Sequence, residues 1–161
     1  MTVRPIRLLG DPVLRTPADP VTSFDANLRR LIDDLLETTD MDGRAGVAAP
    51  QIGVSLRVFS YSVDGDLGYV VNPRLVRTEG LQDGDEGCLS LPGLWFPTER
   101  GSEATVTGVD ADGKPITVEG DGLMARCLQH ETDHLDGIVY IDRLKGRTRK
   151  SALRAIREAA E

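Results

Sequence analysis

Residues 129–137 read QHETDHLDG, and residues 130–134 within this stretch form the pattern His-Glu-Thr-Asp-His. On an α-helix, positions i and i+4 lie on one face, about 6 Å apart along the axis. Two imidazoles at this spacing can bind one metal ion, and the glutamate beside the first can take a proton from water at the ion. The alternative is a pair of histidines without a ligand. The pattern uses both histidines of the chain, and we therefore predict a metal site with His130 and His134 as ligands.

A third protein ligand is expected, because catalytic sites of the zinc type usually take three and keep one position open. Cys127 precedes His134 by seven residues, about 10.5 Å along a helix, which a short cysteine side chain spans poorly. Cys88 lies in a second stretch, EGCLSLP at residues 86–92. A thiolate on a strand that faces the helix completes a Cys-His-His site, and a buried structural cysteine is the alternative. We predict Cys88 as the third ligand and Cys127 as a packing residue beside the site.

Two further residues are candidates for acid–base and oxyanion chemistry. Because a Cys88 thiolate already places one negative charge at the metal, Glu131 stays free to act as a general base. A salt bridge on an exposed helix face is its alternative role. Gln51 ends the stretch GVAAPQ at residues 46–51, where an amide N–H can stabilise a developing oxyanion. Taken alone, this stretch is more typical of packing than of catalysis.

The composition is that of a soluble globular protein. The chain has 161 residues, of which 40% are apolar and 28% charged, and its net charge is −7. These values predict one domain spanning residues 1–161 with its own core. No apolar run approaches the roughly 18 residues of a membrane span, and the N-terminus lacks the apolar segment of a signal peptide. We therefore expect a cytoplasmic protein without membrane contact, and the acidic balance argues against DNA binding through bulk charge.

Periodicity along the chain predicts an α+β fold. Apolar residues recur at helical spacing in a first helix that starts after Asp25, a predicted N-cap. A second helix, about 121–136, carries the histidine motif, and a third, about 148–160, is expected to bury Leu153 and Ile156. Runs of β-branched and aromatic residues predict strands at residues 56–63, 68–71, 74–79, 103–109, 115–118 and 138–141. We expect antiparallel or mixed sheets packed around the central motif helix, with an N-terminal and a C-terminal helix.

The chain resembles the peptide deformylases in three motifs that occur in the family's order: residues 46–51, 86–92 and 129–137. The arm at residues 10–15, GDPVLR, is similar as well, and the resemblance covers about residues 6–145. One position departs from the pattern. Arg44 stands where the family usually has glycine, with Gly43 just before it. We expect this change to affect the loop that leads into the cleft and to leave the catalytic residues untouched.

The resemblance implies a metal-dependent hydrolase that removes the N-formyl group from the N-terminal methionine of nascent polypeptides and releases formate. It implies Fe²⁺, one ion per chain, with Zn²⁺, Ni²⁺ or Co²⁺ as replacements. The implied ligands are Cys88, His130 and His134. Glu131 is implied to transfer the proton. The Leu89 backbone N–H and the Gln51 amide are implied to stabilise the oxyanion.

The substrate is expected to meet further positions in the cleft. A narrow wall near Gly46 and Leu89 admits a formyl group and excludes an acetyl group. Leu123 and Cys127 lie up to two turns before the histidine motif and point towards a pocket for the methionine side chain, although core packing explains Leu123 equally well. Arg100 is a candidate contact for the peptide backbone, with a surface arginine as its alternative.

The last 20 residues, 142–161, contain seven Lys or Arg and three acidic residues. A weak contact with ribosomal RNA is one interpretation, since nascent chains are the implied substrate. A solvated helix face is the other. Two rival functions are a general metallopeptidase, which would cleave unformylated peptides too, and a non-catalytic metal-binding module, which would bind metal without releasing formate.

Overall fold

The computed structural model describes residues 2–159. Within them lie three α-helices: α1 (Ala26–Thr39), α2 (Gly122–Leu135) and α3 (Gly146–Ala159). The strands are β1 (Gly46–Ala48), β2 (Val58–Val63), β3 (Asp66–Glu79), β4 (Asp85–Cys88), β5 (Leu91–Pro97), β6 (Glu103–Val109) and β7 (Pro115–Asp121). Short 3₁₀ helices lie at Pro12–Arg15, Ala49–Ile52 and Tyr140–Arg143.

Five strands form one antiparallel sheet in the order β1-β2-β3-β6-β7, and β4 pairs with β5 in a separate antiparallel hairpin. Strand β3 runs through Asn72 and Pro73, where the sequence analysis predicted a break between separate strands at 68–71 and 74–79. That prediction was wrong. The pairing with β6 shifts register between Val71 and Arg74, and Asn72 takes a positive φ of 52° while its side chain bonds the backbone of Val21. Such an irregularity bends a strand without ending it.

From Ala125 onward, helix α2 is buried on all sides. Every residue from Ala125 to Leu135 is buried, although most of them are polar. Ala125, Leu128 and Leu135 pack against Phe59 and Val70 of the five-stranded sheet. A helix buried all round is normally apolar, so the polar residues that remain need specific partners. Glu86 of the β4–β5 hairpin is the partner of both Arg126 and His130, so the hairpin packs against the polar side of α2.

Helix α1 covers the β1–β2 end of the large sheet. Leu31 and Leu35 of this helix lie in one core cluster with Val47 and Val58. The predicted N-cap is confirmed, since the Asp25 carboxylate accepts a hydrogen bond from a backbone N–H of the first turn at 3.1 Å. The expected α+β architecture is confirmed as well, with antiparallel sheets around the motif helix and helices at both ends of the chain.

The segment after α2 differs from its prediction. Residues 138–141 are not a strand, because Tyr140–Arg143 form a 3₁₀ helix. Asp142 stabilises this turn by accepting a hydrogen bond from the backbone N–H of Val139 at 3.0 Å. The apolar run that suggested a strand is explained by burial: Val139, Tyr140 and Ile141 all enter the core cluster under the β4–β5 hairpin.

Helix α3 turns a different face inward from the one predicted. Ala152 is fully buried and Ile156 is partly buried, whereas Leu153 is 44% exposed. Positions 152 and 156 are one helical turn apart, and Leu153 lies off that face. The prediction that Leu153 packs inward was therefore wrong, and the predicted end of the helix at Ala160 lies outside the described residues. Within residues 2–159, no helix has the length and apolarity to cross a membrane.

Candidate metal centre

Three side chains converge where the end of β4 meets α2. The Cys88 sulfur lies 3.3 Å from Nε2 of His134, and this nitrogen lies 3.2 Å from Nε2 of His130. All three candidate ligand atoms are within 4.8 Å of one another. The i, i+4 spacing of the histidines on α2 puts both rings on one face, and β4 delivers the sulfur to that face. The structure thus brings together the three residues that the sequence singled out as ligands.

The spacing of these atoms fits a tetrahedral metal ion. With metal–nitrogen bonds of about 2.0–2.1 Å at tetrahedral angles, two ligand nitrogens lie about 3.3 Å apart. Burial by itself raises the pKa of the Cys88 thiol, but the facing imidazoles of His134 and His130 lower this pKa well below its usual range. The thiolate is the form of cysteine that binds metal ions. One sulfur and two imidazoles therefore suit a divalent transition-metal ion.

A buried carboxylate orients the first histidine. Glu86 Oε2 lies 2.7 Å from Nδ1 of His130, so Nδ1–H donates to the carboxylate and Nε2 is left with its lone pair towards the ligand cluster. Arg100 donates to both Glu86 oxygens, at 3.0 and 2.6 Å, and Arg126 donates to Oε1 at 2.8 Å. Burial alone would raise the pKa of Glu86, but the hydrogen bonds from His130 and Arg100 lower it overall. Glu86 is therefore a buried anion.

The position of Arg100 corrects the expectation that it contacts the peptide. This arginine is 6% exposed, and it does not line the cavity that borders Cys88 and His130. Its guanidinium is occupied by Glu86 and by Asp133, which lies 2.7 Å away and also pairs with Arg143. The sequence reasoning missed Glu86 as the partner of the metal site. The signal was present, since residues i and i+2 of a strand share a face and Glu86 precedes Cys88 by two.

The candidate base, Glu131, lies beside the ligand cluster. Its carboxylate is buried and Oε2 lies 4.0 Å from Nε2 of His130. Burial raises the pKa of Glu131, and the neighbouring His130 and His134 oppose that rise. Gly46 of β1 packs directly on this side chain, because a Cβ at Gly46 would lie 2.7 Å from Glu131 Oε2 and 2.9 Å from the sulfur of Cys127. Cys127 itself donates to the Ala45 carbonyl at 3.2 Å. It is a buried packing residue that is not in the ligand cluster.

The amide of Gln51 is fixed in orientation next to the sulfur. Its Oε1 accepts a hydrogen bond from the backbone N–H of Ala48 at 3.0 Å. This leaves Nε2 to donate to Ser90 Oγ at 3.2 Å, and Nε2 lies 3.7 Å from Cys88 Sγ. Gln51 is 1% exposed. A buried amide N–H is therefore held beside the ligand cluster, and Leu89 follows Cys88 in the wall of the same cavity.

Comparison with known proteins identifies the family. The family model for polypeptide deformylases matches residues 3–150. The chain belongs to the peptide deformylase family. Peptide deformylases are metal-dependent hydrolases, and this member removes the N-formyl group from nascent polypeptides.

Individual deformylases match over almost the whole chain. A peptide deformylase from Acidothermus cellulolyticus is 62% identical over 159 residues, which cover 99% of this chain and 88% of the relative. Peptide deformylase 2 from Streptomyces coelicolor is 51% identical over 164 residues, covering 98% of this chain and 92% of the relative. The crystal structure of the Thermus thermophilus deformylase is similar with a TM-score of 0.90 at 45% identity, covering 97% of this chain and 94% of that one.

A cavity of about 570 Å³ borders the ligand cluster, since Cys88 and His130 lie in its wall. Gly46, at the start of β1, and residues 43–45 before it form one wall, and the β4–β5 hairpin with Leu89 forms another. Leu123 and Cys127 of α2 line the cavity too. Leu123 is 51% exposed, so core packing does not explain it. Arg44, the departure from the family pattern, lies at the same cavity, and its guanidinium donates to the Thr38 carbonyl at the end of α1 at 2.7 Å.

Proposed function

We propose that deformylation takes place in this cavity and that Cys88, His130 and His134 would hold a ferrous ion there. The observation that carries the proposal is the convergence of these three ligand atoms beside the buried carboxylate of Glu131. Sulfur and imidazole donors suit Fe²⁺, Zn²⁺, Ni²⁺ and Co²⁺, and the resemblance to the family favours Fe²⁺ as the resident ion. A ferrous ion beside a thiolate that lines an open cavity makes the site sensitive to oxygen.

The ion supplies Lewis-acid chemistry when bound, because it polarises the formyl carbonyl and acidifies the attacking water. Glu131 accepts a proton from that water as oxygen adds to the formyl carbon. It then delivers the proton to the amine nitrogen as the C–N bond breaks, which leaves formate and a free N-terminus. Burial suits Glu131 to this exchange, because it raises the pKa of the carboxyl. A carboxyl with a raised pKa can both accept a proton and return it.

Two N–H groups of the chain stabilise the negative charge that develops on the formyl oxygen. The Gln51 amide is one, since its oxygen is held by Ala48 and its nitrogen faces the ligand cluster. The backbone N–H of Leu89 is the other, because it follows Cys88 directly along the cavity wall. Donors fixed in advance at such a position need no reorganisation during the reaction.

Selectivity for formyl groups and for methionine follows from the shape of the cleft. Gly46 packs against Glu131 with no room for a side chain. Together with Leu89 it leaves space for a formyl group at the reacting carbon and excludes the larger acetyl group. Leu123 and Cys127 offer an apolar surface to the methionine side chain. The nascent peptide therefore enters with its formyl carbon at the ligand cluster and its remaining residues towards the open mouth.

A single preparation tests the metal assignment and the activity together. The protein is purified anaerobically with iron, and metal content is measured beside formate release from formyl-Met-Ala-Ser. We expect about one iron per chain and formate without cleavage of unformylated Met-Ala-Ser. Cys88→Ser is expected to lose metal, whereas its matched control Cys127→Ser retains it. Full metal content in Cys88→Ser, or cleavage of the unformylated peptide, would contradict the proposal.

A weak contact with ribosomal RNA is a second proposal, carried by the charge on α3 and the turn before it. Lys145, Arg147, Arg149, Lys150 and Arg154 are all exposed there. Such a basic surface on an acidic chain binds phosphate backbones through released counterions. Co-sedimentation with ribosomes is expected at low salt and is expected to weaken in a variant with Arg147, Arg149 and Lys150 changed to Glu. Equal sedimentation of both proteins would refute the contact.

A further inference from the structure

A large aromatic side chain stands exposed at the mouth of the cleft. Trp95 of β5 is 63% exposed, and it lines the same cavity as the ligand cluster. Leu123, which is 51% exposed, is a second large apolar side chain on this cavity. Exposed apolar surface gathered at a cavity differs from isolated surface residues, because it typically marks a place where a ligand is bound.

The strand register sets the direction of Trp95. In the β4–β5 hairpin, Trp95 is the direct partner of Gly87, and its neighbour Phe96 points the other way to stack on Tyr140 at 6.2 Å. A Cβ at Gly87 would lie 2.7 Å from Cε3 and Cζ3 of the indole. The ring therefore rests on the backbone of Gly87 and occupies the space that the side chain of any other residue at position 87 would fill. The indole is held in place on one side and open to solvent on the other.

The resting place of the indole is next to the reaction centre. Gly87 is bonded to Cys88, so their Cα atoms are about 3.8 Å apart. An extended peptide advances about 3.3 Å per residue, so a chain with its formyl carbon at the ligand cluster passes Trp95 within one or two residues after the methionine. A held aromatic ring offers a wide contact surface with little loss of side-chain freedom.

We propose that Trp95 determines specificity for the peptide beyond the methionine, favouring an aromatic or large apolar side chain at one of the two residues that follow. The inference rests on the proposed function of the cleft. The contact is made equally before and during the chemical step, so it acts on KM and leaves kcat little changed.

The test compares formyl-Met-Phe-Ser, formyl-Met-Ser-Phe and formyl-Met-Ser-Ser in the iron-loaded enzyme. We expect one phenylalanine peptide to exceed the serine peptide in kcat/KM by roughly two- to tenfold, the range of an aromatic contact. Trp95→Ala is expected to abolish this ratio and Trp95→Phe to keep part of it. Leu81→Ala is the matched control, since Leu81 is 68% exposed and does not line the cavity; it should keep the whole ratio.

Each outcome separates this inference from the proposed function. Turnover of formyl-Met-Ser-Ser reports deformylation itself, whereas the ratio between peptides reports Trp95. Equal kcat/KM for all three peptides, or a preference that persists in Trp95→Ala, would overturn the inference and leave deformylation intact.

Fluorescence adds a direct measurement, because Trp95 is the only tryptophan of the chain. Saturating formyl-Met-Phe-Ser is expected to shift its emission in iron-loaded Glu131→Gln, and an unshifted spectrum would contradict contact.

Discussion

Nδ1 of His130 donates a hydrogen bond to Glu86 at 2.7 Å, and Glu86 lies two residues before Cys88 on the same strand. One short strand therefore supplies one of the three proposed metal ligands and also the carboxylate that orients a second. Arg100 and Arg126 compensate the buried charge of Glu86. Because the orienting carboxylate and the sulfur are tied together by β4, a shift of this strand would disturb two of the three ligands at once.

Glu86→Gln tests this relationship. The amide keeps the shape of the side chain but removes the charge, so Arg126 loses its anionic partner and Arg100 keeps only Asp133. The hydrogen bond that orients His130 becomes a weaker bond to a neutral acceptor. We expect a 10- to 100-fold loss of metal affinity or activity, about the range for a carboxylate behind a metal-bound histidine. Stability is expected to fall by about 3–5 kcal/mol, as when one partner of a buried ion pair is removed. Metal titration and urea unfolding measure the two effects.

Glu79→Gln is the matched control for that variant, since Glu79 pairs with Arg77 on the surface. It is expected to change neither metal affinity nor activity. If Glu86→Gln retained wild-type metal affinity and turnover, the carboxylate would be a packing feature of the core and would not orient His130.

Glu131→Gln is expected to separate catalysis from metal binding. Glu131 is outside the ligand cluster, so the variant should hold a normal amount of iron. Loss of the proton acceptor is expected to lower kcat by about 10²–10⁴-fold, the range for general acid–base catalysis. Iron content and formate release, measured on the same sample, check both parts. Depleted iron would instead make Glu131 a ligand or a structural residue.

Gly46→Ala probes the contact between β1 and Glu131, the proposed base. A Cβ at Gly46 would lie 2.7 Å from Glu131 Oε2. In the Gly46→Ala variant, the Glu131 carboxylate must therefore move away from the reaction centre. A displacement of about 1 Å in an active site can cost on the order of 10²-fold in rate, and we expect a loss of this size in kcat with iron retained. Gly84→Ala serves as the control, because its Cβ would meet only the end of Arg126 at 3.6 Å. Wild-type kcat in Gly46→Ala would mean that Glu131 has room that the structure does not show.

Gln51→Ala removes the side-chain donor proposed for the oxyanion. The expected result is a loss of about 10²–10³-fold in kcat, the range for one such donor, with KM changed much less. Formate release at saturating and limiting peptide gives the two constants. Gln51→Glu extends the test, since it keeps the bond from Ala48 but replaces the donor by an acceptor, and it should be at least as damaging. A rate near that of the wild type in either variant would remove Gln51 from the mechanism.

The parts of the site that are local in sequence were predictable, and the parts that depend on tertiary packing were not. The His130–His134 pair follows from helical periodicity alone. Cys88 could be assigned as a ligand only because the two histidines left a third ligand to be found. Its approach to α2 depends on the β4–β5 hairpin, whose second strand the sequence analysis did not predict. Arg100 was assigned to the peptide because no local pattern shows that Glu86 and Asp133 lie around it. The prediction that Leu153 is buried was wrong for a similar reason, since only the packed structure determines which face of α3 is buried.

Arg44 is the departure from the family pattern, and the structure gives it a stabilising role. Helix α1 has no basic residue in its last turn, and Arg44 donates from outside the helix to the Thr38 carbonyl at 2.7 Å. A cation at a helix C-terminus compensates the partial negative charge of the unpaired carbonyls. Arg44→Gln is therefore expected to lower the free energy of unfolding by on the order of 1 kcal/mol, or about 2–4 °C in Tm for a chain of this length. Arg44→Lys should recover part of the loss, and salt should reduce the difference between Arg44 and Gln. Arg74→Gln, a matched removal of an exposed charge away from the cavity, is expected to leave Tm unchanged, and the assignment fails if both variants unfold at the wild-type temperature.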